Sequence, residues 1–248
     1  MKIIGIIILL IGCIVLWQHL ELKKFQITSY EYRTKKITQS VKFAVVADLH
    51  AHVYGRDNDI LIQKIKEQKP DIILVPGDMI VSRYPETYET AYQTFEKLTE
   101  IAPVYFSNGN HESRVSKVPV MQTEAFLEYE NRVRKLGVHI LNNASEEVIL
   151  HGGKFCISGL EIPSECYGKG SYEPLPEHFI RDVLGDAKQD SVQILMAHNP
   201  MFAKEYADWG ADITVCGHTH GGLVRIPGIG SVISPQFELF PKYDAGEF

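Results

Sequence analysis

Five apolar runs in this 248-residue chain each stop at a loop carrying Asp, His or Asn, and this recurrence constrains the fold more than any other feature. Val41 to Val46 leads into Asp48-Leu49-His50, and Asp71 to Val75 into Pro76-Gly77-Asp78. Pro103 to Phe106 leads into Ser107-Asn108-Gly109-Asn110-His111-Glu112. Asp190 to Ala197 stops at His198-Asn199-Pro200, and Ala211 to Cys216 at Gly217-His218-Thr219-His220-Gly221-Gly222. Short runs of Val and Ile without polar alternation read as strands buried on both faces. Between them the apolar residues fall at helical spacing. Ile60, Leu61 and Ile65 predict a helix from Asn58 that stops at Lys69-Pro70, and others are expected over 86–100, over 120–136 and up to about Ala207. Strands alternating with helices imply an α/β fold with a largely parallel sheet, in which ligands gather beyond the carboxyl ends of the strands. Further β-rich segments are expected at 138–141, 147–150 and 154–158, the last two joined by a turn at His151-Gly152-Gly153. Gln26 to Thr34 reads as an edge strand, 163–176 as a loop, and 224–226 and 232–234 as short closing strands.

Taken singly, each loop has an ordinary structural reading as a turn or a helix start. Two His at i and i+2 in the Gly-rich turn at 217–222 are more specific, because they can point at neighbouring ions. Together the loops bring Asp48, His50, Asp78, Asn110, His198, His218 and His220 to one edge, with His111 alongside and no Cys among them. Nitrogen and carboxylate donors without thiolate suit Mn, Fe, Zn or Co and disfavour a Cys-type structural zinc site. Seven donors exceed what one ion needs, whereas two ions sharing a carboxylate, about 3.5–4 Å apart, use such a number in phosphoryl transfer.

Asp48-Leu49-His50, Gly77-Asp78, Gly109-Asn110-His111-Glu112, His198 and Gly217-His218-Thr219-His220, in this order, resemble the motif set of the calcineurin-like metallophosphoesterases over about residues 41 to 235. Membrane-tethered bacterial members with an apolar amino-terminal segment look most similar. The resemblance implies a two-sheet β-sandwich flanked by helices in four layers, with two divalent metal ions. It implies Asp48, His50 and His220 on one ion, Asn110, His198 and His218 on the other, and Asp78 bridging them. It implies His111 as an acid that steadies the phosphate or protonates the leaving oxygen, beside a metal-activated bridging hydroxide. Histidine suits proton donation near neutral pH. The resemblance makes Asn110 a neutral ligand, which would limit the anionic charge around the metals. Glu112 is expected either to orient His111 or to be a solvated helix-start residue, and Arg114 to meet a substrate phosphate.

The expected function is hydrolysis of a phosphate ester or pyrophosphate. The alternative is a non-catalytic metal-binding scaffold. A metallo-β-lactamase-like enzyme is disfavoured, because the His-x-His-x-Asp-His run of that fold is missing. A hydrophobic content of 45%, a charged content of 23% and a net charge of −6 fit a globular chain and argue against nucleic acid as its partner. Cys13, Cys156, Cys166 and Cys216 show no CxxC spacing and read as free thiols, with a Cys156–Cys166 bridge left open. Ile3 to Trp17 carries no charge and is extended by Leu20 and Leu22, so residues 1–22 are expected to form one uncleaved transmembrane anchor. A juxtamembrane segment is expected over 23–40 and the catalytic domain over 41–248. Lys23, Lys24, Arg33, Lys35 and Lys36 follow the anchor and favour the cytoplasmic face for that domain. The expected substrate is a phosphorylated small molecule or a lipid-linked phosphate, with Tyr167, Lys169 and Tyr172 as candidate contacts. The few strands after residue 222 lead to the expectation of a truncated carboxyl end.

Overall fold

Ile72-Ile73-Leu74-Val75, strand β2, shows how the strands without alternation are used. Ile72 and Leu74 face a second sheet, while Ile73 and Val75 face helices, so both sides of the strand are buried. The computed structural model describes residues 24–117, 124–168, 170, 173–226 and 228–248, together with residues 5, 6, 9, 12, 13, 16, 17 and 20. The first sheet has the order β1 (Phe43–Val45), β2 (Ile72–Val75), β3 (Val104–Phe106) and β4 (His139–Ile140), and is parallel throughout. Helices Asp59–Gln68, Thr87–Thr99 and Glu124–Lys135 cover its outer face with Leu61, Ile65, Phe95, Leu98, Phe126, Tyr129 and Val133.

The second sheet has the order β5 (Ala144–Leu150), β6 (Gly153–Leu160), β7 (Val192–Ala197) and β8 (Ile213–Val215). Strands β5 and β6 form an antiparallel hairpin; the other pairings are parallel. Helices Phe179–Leu184 and Ala203–Trp209 cover its outside with Ile180 and Tyr206. Between the sheets lie Ile72, Leu74, Tyr105, Phe155, Ile157, Val192, Ile194 and Met196. Each such side chain is worth about 1.5–3 kcal/mol when taken from water. The architecture is therefore α/β in four layers: helices, sheet, sheet, helices.

Several sequence expectations are corrected. Gln26 to Thr34 forms no strand: Ile27, Tyr30 and Tyr32 are exposed and no backbone partner lies alongside among the described residues. Strand propensity without a buried face gives that segment nothing to pair with. The opening strand spans only Phe43–Val45, because the chain turns towards the Asp48 loop beyond it. A helix, Asn110–Lys117, occupies part of what reads as a polar loop, and a 3-10 turn, Ser164–Tyr167, lies within the expected loop at 163–176. Strands β9 (Val224–Ile226) and β10 (Gly230–Ile233) pair with each other as a separate hairpin. All four cysteines are free. The anchor expected over 1–22 falls largely outside the described residues, and among the described residues no helix is long and apolar enough to cross a membrane. The start of the helix expected from Val120, with Lys169 and Tyr172, also falls outside them.

Candidate metal centre

The ends of β1, β2 and β3 in one sheet and of β7 and β8 in the other open onto a common edge. Backbone bonds tie neighbouring loops together there: Asp48 N–H donates to the Gly77 carbonyl at 3.2 Å, His50 N–H to the Asp78 carbonyl at 3.0 Å, and Gly217 N–H to the His198 carbonyl at 3.0 Å. Bonds from His198 and His218 also cross between the sheets. His218 N–H donates to Asp48 Oδ1 at 2.9 Å, and His198 Nδ1–H donates to the Pro76 carbonyl at 2.7 Å.

Among the described residues three overlapping groups result, within each of which the possible donor atoms lie within 4.8 Å of one another: Asp48, His50 and His220; His50, Asp78 and His111; Asp78, His198 and His218. In the first, His50 Nδ1–H donates to the Ile80 carbonyl at 3.2 Å, which leaves Nε2 with a lone pair directed at His220 Nε2, 3.3 Å away. Two nitrogens bound to one tetrahedral ion at roughly 2.0–2.1 Å are about that far apart. In the last group, His198 Nε2 and His218 Nε2 are buried without a hydrogen-bond partner, as is Asn110 Oδ1. His198 Nε2 does lie 3.1 Å from Asp78 Oδ2, but out of line for a hydrogen bond. Buried polar atoms rarely go unsatisfied, and the unpartnered His218 Nε2 and Asn110 Oδ1 are atoms that a cation would satisfy. Asp78 belongs to two of the groups. Its Oδ1 accepts the His111 N–H at 2.8 Å, which leaves Oδ2 3.6 Å from His50 Nε2 and 3.1 Å from His198 Nε2.

Burial and these charges set distinct proton states. Burial disfavours the His198 cation, but the Asp78 carboxylate beside it prevails and raises the imidazole to about 9. Asp78 is buried too, and the neighbouring His198 holds its carboxyl well below the usual range. His218 is pushed down to about 3 by burial and by His198, and is therefore a neutral donor. His111 is pushed down to about 4, chiefly by burial. Its Nδ1 accepts the Ser82 N–H at 3.0 Å, so the proton of the neutral ring sits on Nε2. His111 is thus a neutral ring that presents Nε2–H as a hydrogen-bond donor.

Five of the seven candidate donors, Asp48, His50, Asp78, His218 and His220, hold left-handed backbone, with φ between 46° and 73°. Such conformations cost about 1–3 kcal/mol each and persist where the surroundings over-determine them. At Asp78 the determinant is Glu112. This fully buried carboxylate accepts the N–H groups of Asp78 (2.9 Å), Met79 (2.8 Å), Ile80 (3.2 Å) and Gly109 (3.0 Å). It is neither a solvated helix-start residue nor hydrogen-bonded to the His111 ring. The sequence could not identify this role, nor that of Ser82, because the partners are main-chain amides distant along the chain. Arg114 is exposed, one turn along the helix from His111, and its charge helps disfavour the His111 cation. The Tyr167 ring stands edge-on to His218, with centroids 5.0 Å apart.

The sequence matches the calcineurin-like phosphoesterase family over residues 41–222. The chain belongs to that family. As a calcineurin-like phosphoesterase, it is 30% identical to a Caenorhabditis elegans protein provisionally named a metallophosphoesterase, over 74% of this chain and 37% of that one. It is 26% identical to phosphodiesterase YaeI of Escherichia coli K12, over 73% of this chain and 59% of the relative. Its matches thus cover less than two thirds of the length of either relative. Among solved structures it resembles the phosphopantetheinyl hydrolase of Mycobacterium tuberculosis, with a TM-score of 0.47, 16% identity, and coverage of 75% of this chain and 83% of that one. The match begins at Val41, just before β1, and ends at Gly222, just after the His218-Thr219-His220 turn, so it contains every candidate donor. The family is one of metal-dependent phosphoester hydrolases, and candidate donor groups for such metals are present here.

Proposed function

We propose that this chain hydrolyses a phosphate ester or pyrophosphate using two divalent cations, drawn from Mn, Fe, Zn or Co. Asp48, His50 and His220 would hold one, Asn110, His198 and His218 the other, and Asp78 would reach both. The observation that carries this reading is the position of Asp78 Oδ2, 3.6 Å from a nitrogen of the first group and 3.1 Å from one of the second. Such a pair, when bound, supplies Lewis-acid charge to phosphoryl oxygens and ionises water near neutral pH.

The chain's own groups then hold and orient the substrate. His111 offers Nε2–H to a phosphoryl or leaving-group oxygen, and the Ser82 N–H prevents the ring from turning over or taking a second proton at Nδ1. Arg114 is available to a more distal phosphate oxygen, and Tyr167 forms a wall beside His218. A relative named a phosphodiesterase makes a diester the first substrate class to examine. Tethering through the apolar stretch at 1–22 would hold the site beside a membrane, on its cytoplasmic face by the charge pattern, and would bring lipid-linked phosphates within reach.

The test is hydrolysis of bis-p-nitrophenyl phosphate and p-nitrophenyl phosphate with added Mn²⁺, by the wild type, Asp78→Asn and His111→Ala. Loss of a positioned proton-donating group typically costs about 10²–10⁴-fold in rate, and drops of that order are expected in both variants. Equal rates in the three proteins would overturn the enzymatic reading and favour a scaffold.

A further inference from the structure

Glu112 is the most deeply buried carboxylate whose role the proposed chemistry leaves open. Among the described residues its side-chain hydrogen bonds all come from N–H donors: Oε2 accepts from Asp78 and Gly109, Oε1 from Met79 and Ile80. That is the pattern of an ionised carboxylate wrapped by main-chain N–H groups. Burial and the nearby Asp78 work against its charge, and the N–H groups around it work in its favour. They belong to two loops, one leaving β2 and the other leaving β3, and the carboxylate joins them.

We propose that Glu112 is a positioning residue that sets Asp78 between the two cations. This rests on the reading of Asp78 as the shared carboxylate. Asp78 is held at φ 55°, a conformation that a non-glycine residue adopts at a cost. Glu112 grips the N–H of Asp78 itself and of the next two residues, which fixes the peptide planes on either side of the Asp78 side chain. By gripping Gly109 as well, it brings the start of helix Asn110–Lys117 up to the same loop. The His111 N–H then reaches Asp78 Oδ1 at 2.8 Å and turns Oδ2 towards His50 and His198. One buried side chain thereby controls both the height of Asp78 and the rotation of its carboxylate. Its contribution passes through the loops of Asp78 and Gly109, whereas the His111 ring is held by the Ser82 N–H.

Glu112→Gln keeps the size but presents an NH₂ group to N–H donors, so at least one of the four bonds becomes a repulsion. The readout is Mn²⁺ titration followed by electron paramagnetic resonance. The wild type is expected to give the exchange-coupled signal of a paired Mn(II) centre at two equivalents. E112Q is expected to give isolated Mn(II) signals, with the second equivalent bound at least about tenfold more weakly. Retention of the coupled signal in E112Q, with second-ion affinity within about twofold of wild type, would overturn the Glu112 role alone. A wild type without a coupled signal would overturn the shared-carboxylate reading, and the Glu112 role with it. Should E112Q fail to fold, amide exchange in the metal-free wild type decides: strong protection of Asp78, Met79, Ile80 and Gly109 is expected, and rapid exchange there would defeat the proposal.

Discussion

His198 and His218 stand in the same donor group with ring centroids 5.3 Å apart, yet their proton states are opposite. His218 is neutral because burial and the His198 charge both act against its cation, whereas His198 holds a proton because the charged Asp78 carboxylate lies 3.1 Å away. Binding of a cation through His198 Nε2 must displace that proton. Mn²⁺ affinity is therefore expected to rise about tenfold per pH unit until about 9, the raised value of His198, with about one proton released per chain at neutral pH. Calorimetry in two buffers of different ionisation enthalpy measures that release, and pH-independent binding without it would refute the assignment. Without metal the effect on folding has the opposite slope. The folded value lies above the reference of 6.5, so the His198–Asp78 pair stabilises the metal-free protein fully below that pH, and the contribution is lost as pH rises through about 9.

At the level of loops and strands, the glycines of the motifs serve close approach rather than catalysis. A Cβ on Gly109 would lie 2.2 Å from Asp78 Oδ1 and 2.6 Å from Asp78 N, and one on Gly77 would lie 2.3 Å from Gly109 N. Because backbone is among the atoms met, a side-chain rotation gives no relief. Gly109→Ala is expected to cost about 1–3 kcal/mol, as overpacking does, with a fall in melting temperature and the loss of tight Mn²⁺ binding; an unchanged melting curve and titration would contradict this. The same packing explains what the sequence made legible. Ile72–Val75 and Val192–Ala197 are buried on both faces, so their composition alone marked them as strands, and the donors that follow them could be read in order. Gln26 to Thr34 has strand-forming residues but no strand partner among the described residues, and propensity cannot supply one. Phe179–Leu184 is only 6 residues long and gave no helical period to detect. Glu112 was legible as a motif residue, but its four partners are amides, which carry no side-chain signature in a sequence.

Across the whole molecule the donors are divided between the two sheets: Asp48, His50, Asp78 and Asn110 follow strands of the first, and His198, His218 and His220 follow strands of the second. Neither sheet holds either proposed ligand set alone, so cations would act as a fastening between sheets whose shared apolar layer is otherwise the main contact. The metal-free edge keeps the unpartnered Asn110 Oδ1 and His218 Nε2 buried, a cost present only in the folded state. Mn²⁺ at a hundredfold excess over its dissociation constant is expected to add about 2.7 kcal/mol to folding stability. At about 2–4 °C per kcal/mol for a chain of this size, the melting temperature should rise by roughly 5–10 °C and fall back with a chelator. The division between sheets makes this sharper: Asp78→Asn, on the first sheet, and His218→Ala, on the second, should each lose most of the shift. If either variant kept the full shift, one sheet would be sufficient to bind the stabilising metal, and the fastening across the two would be refuted by that scan.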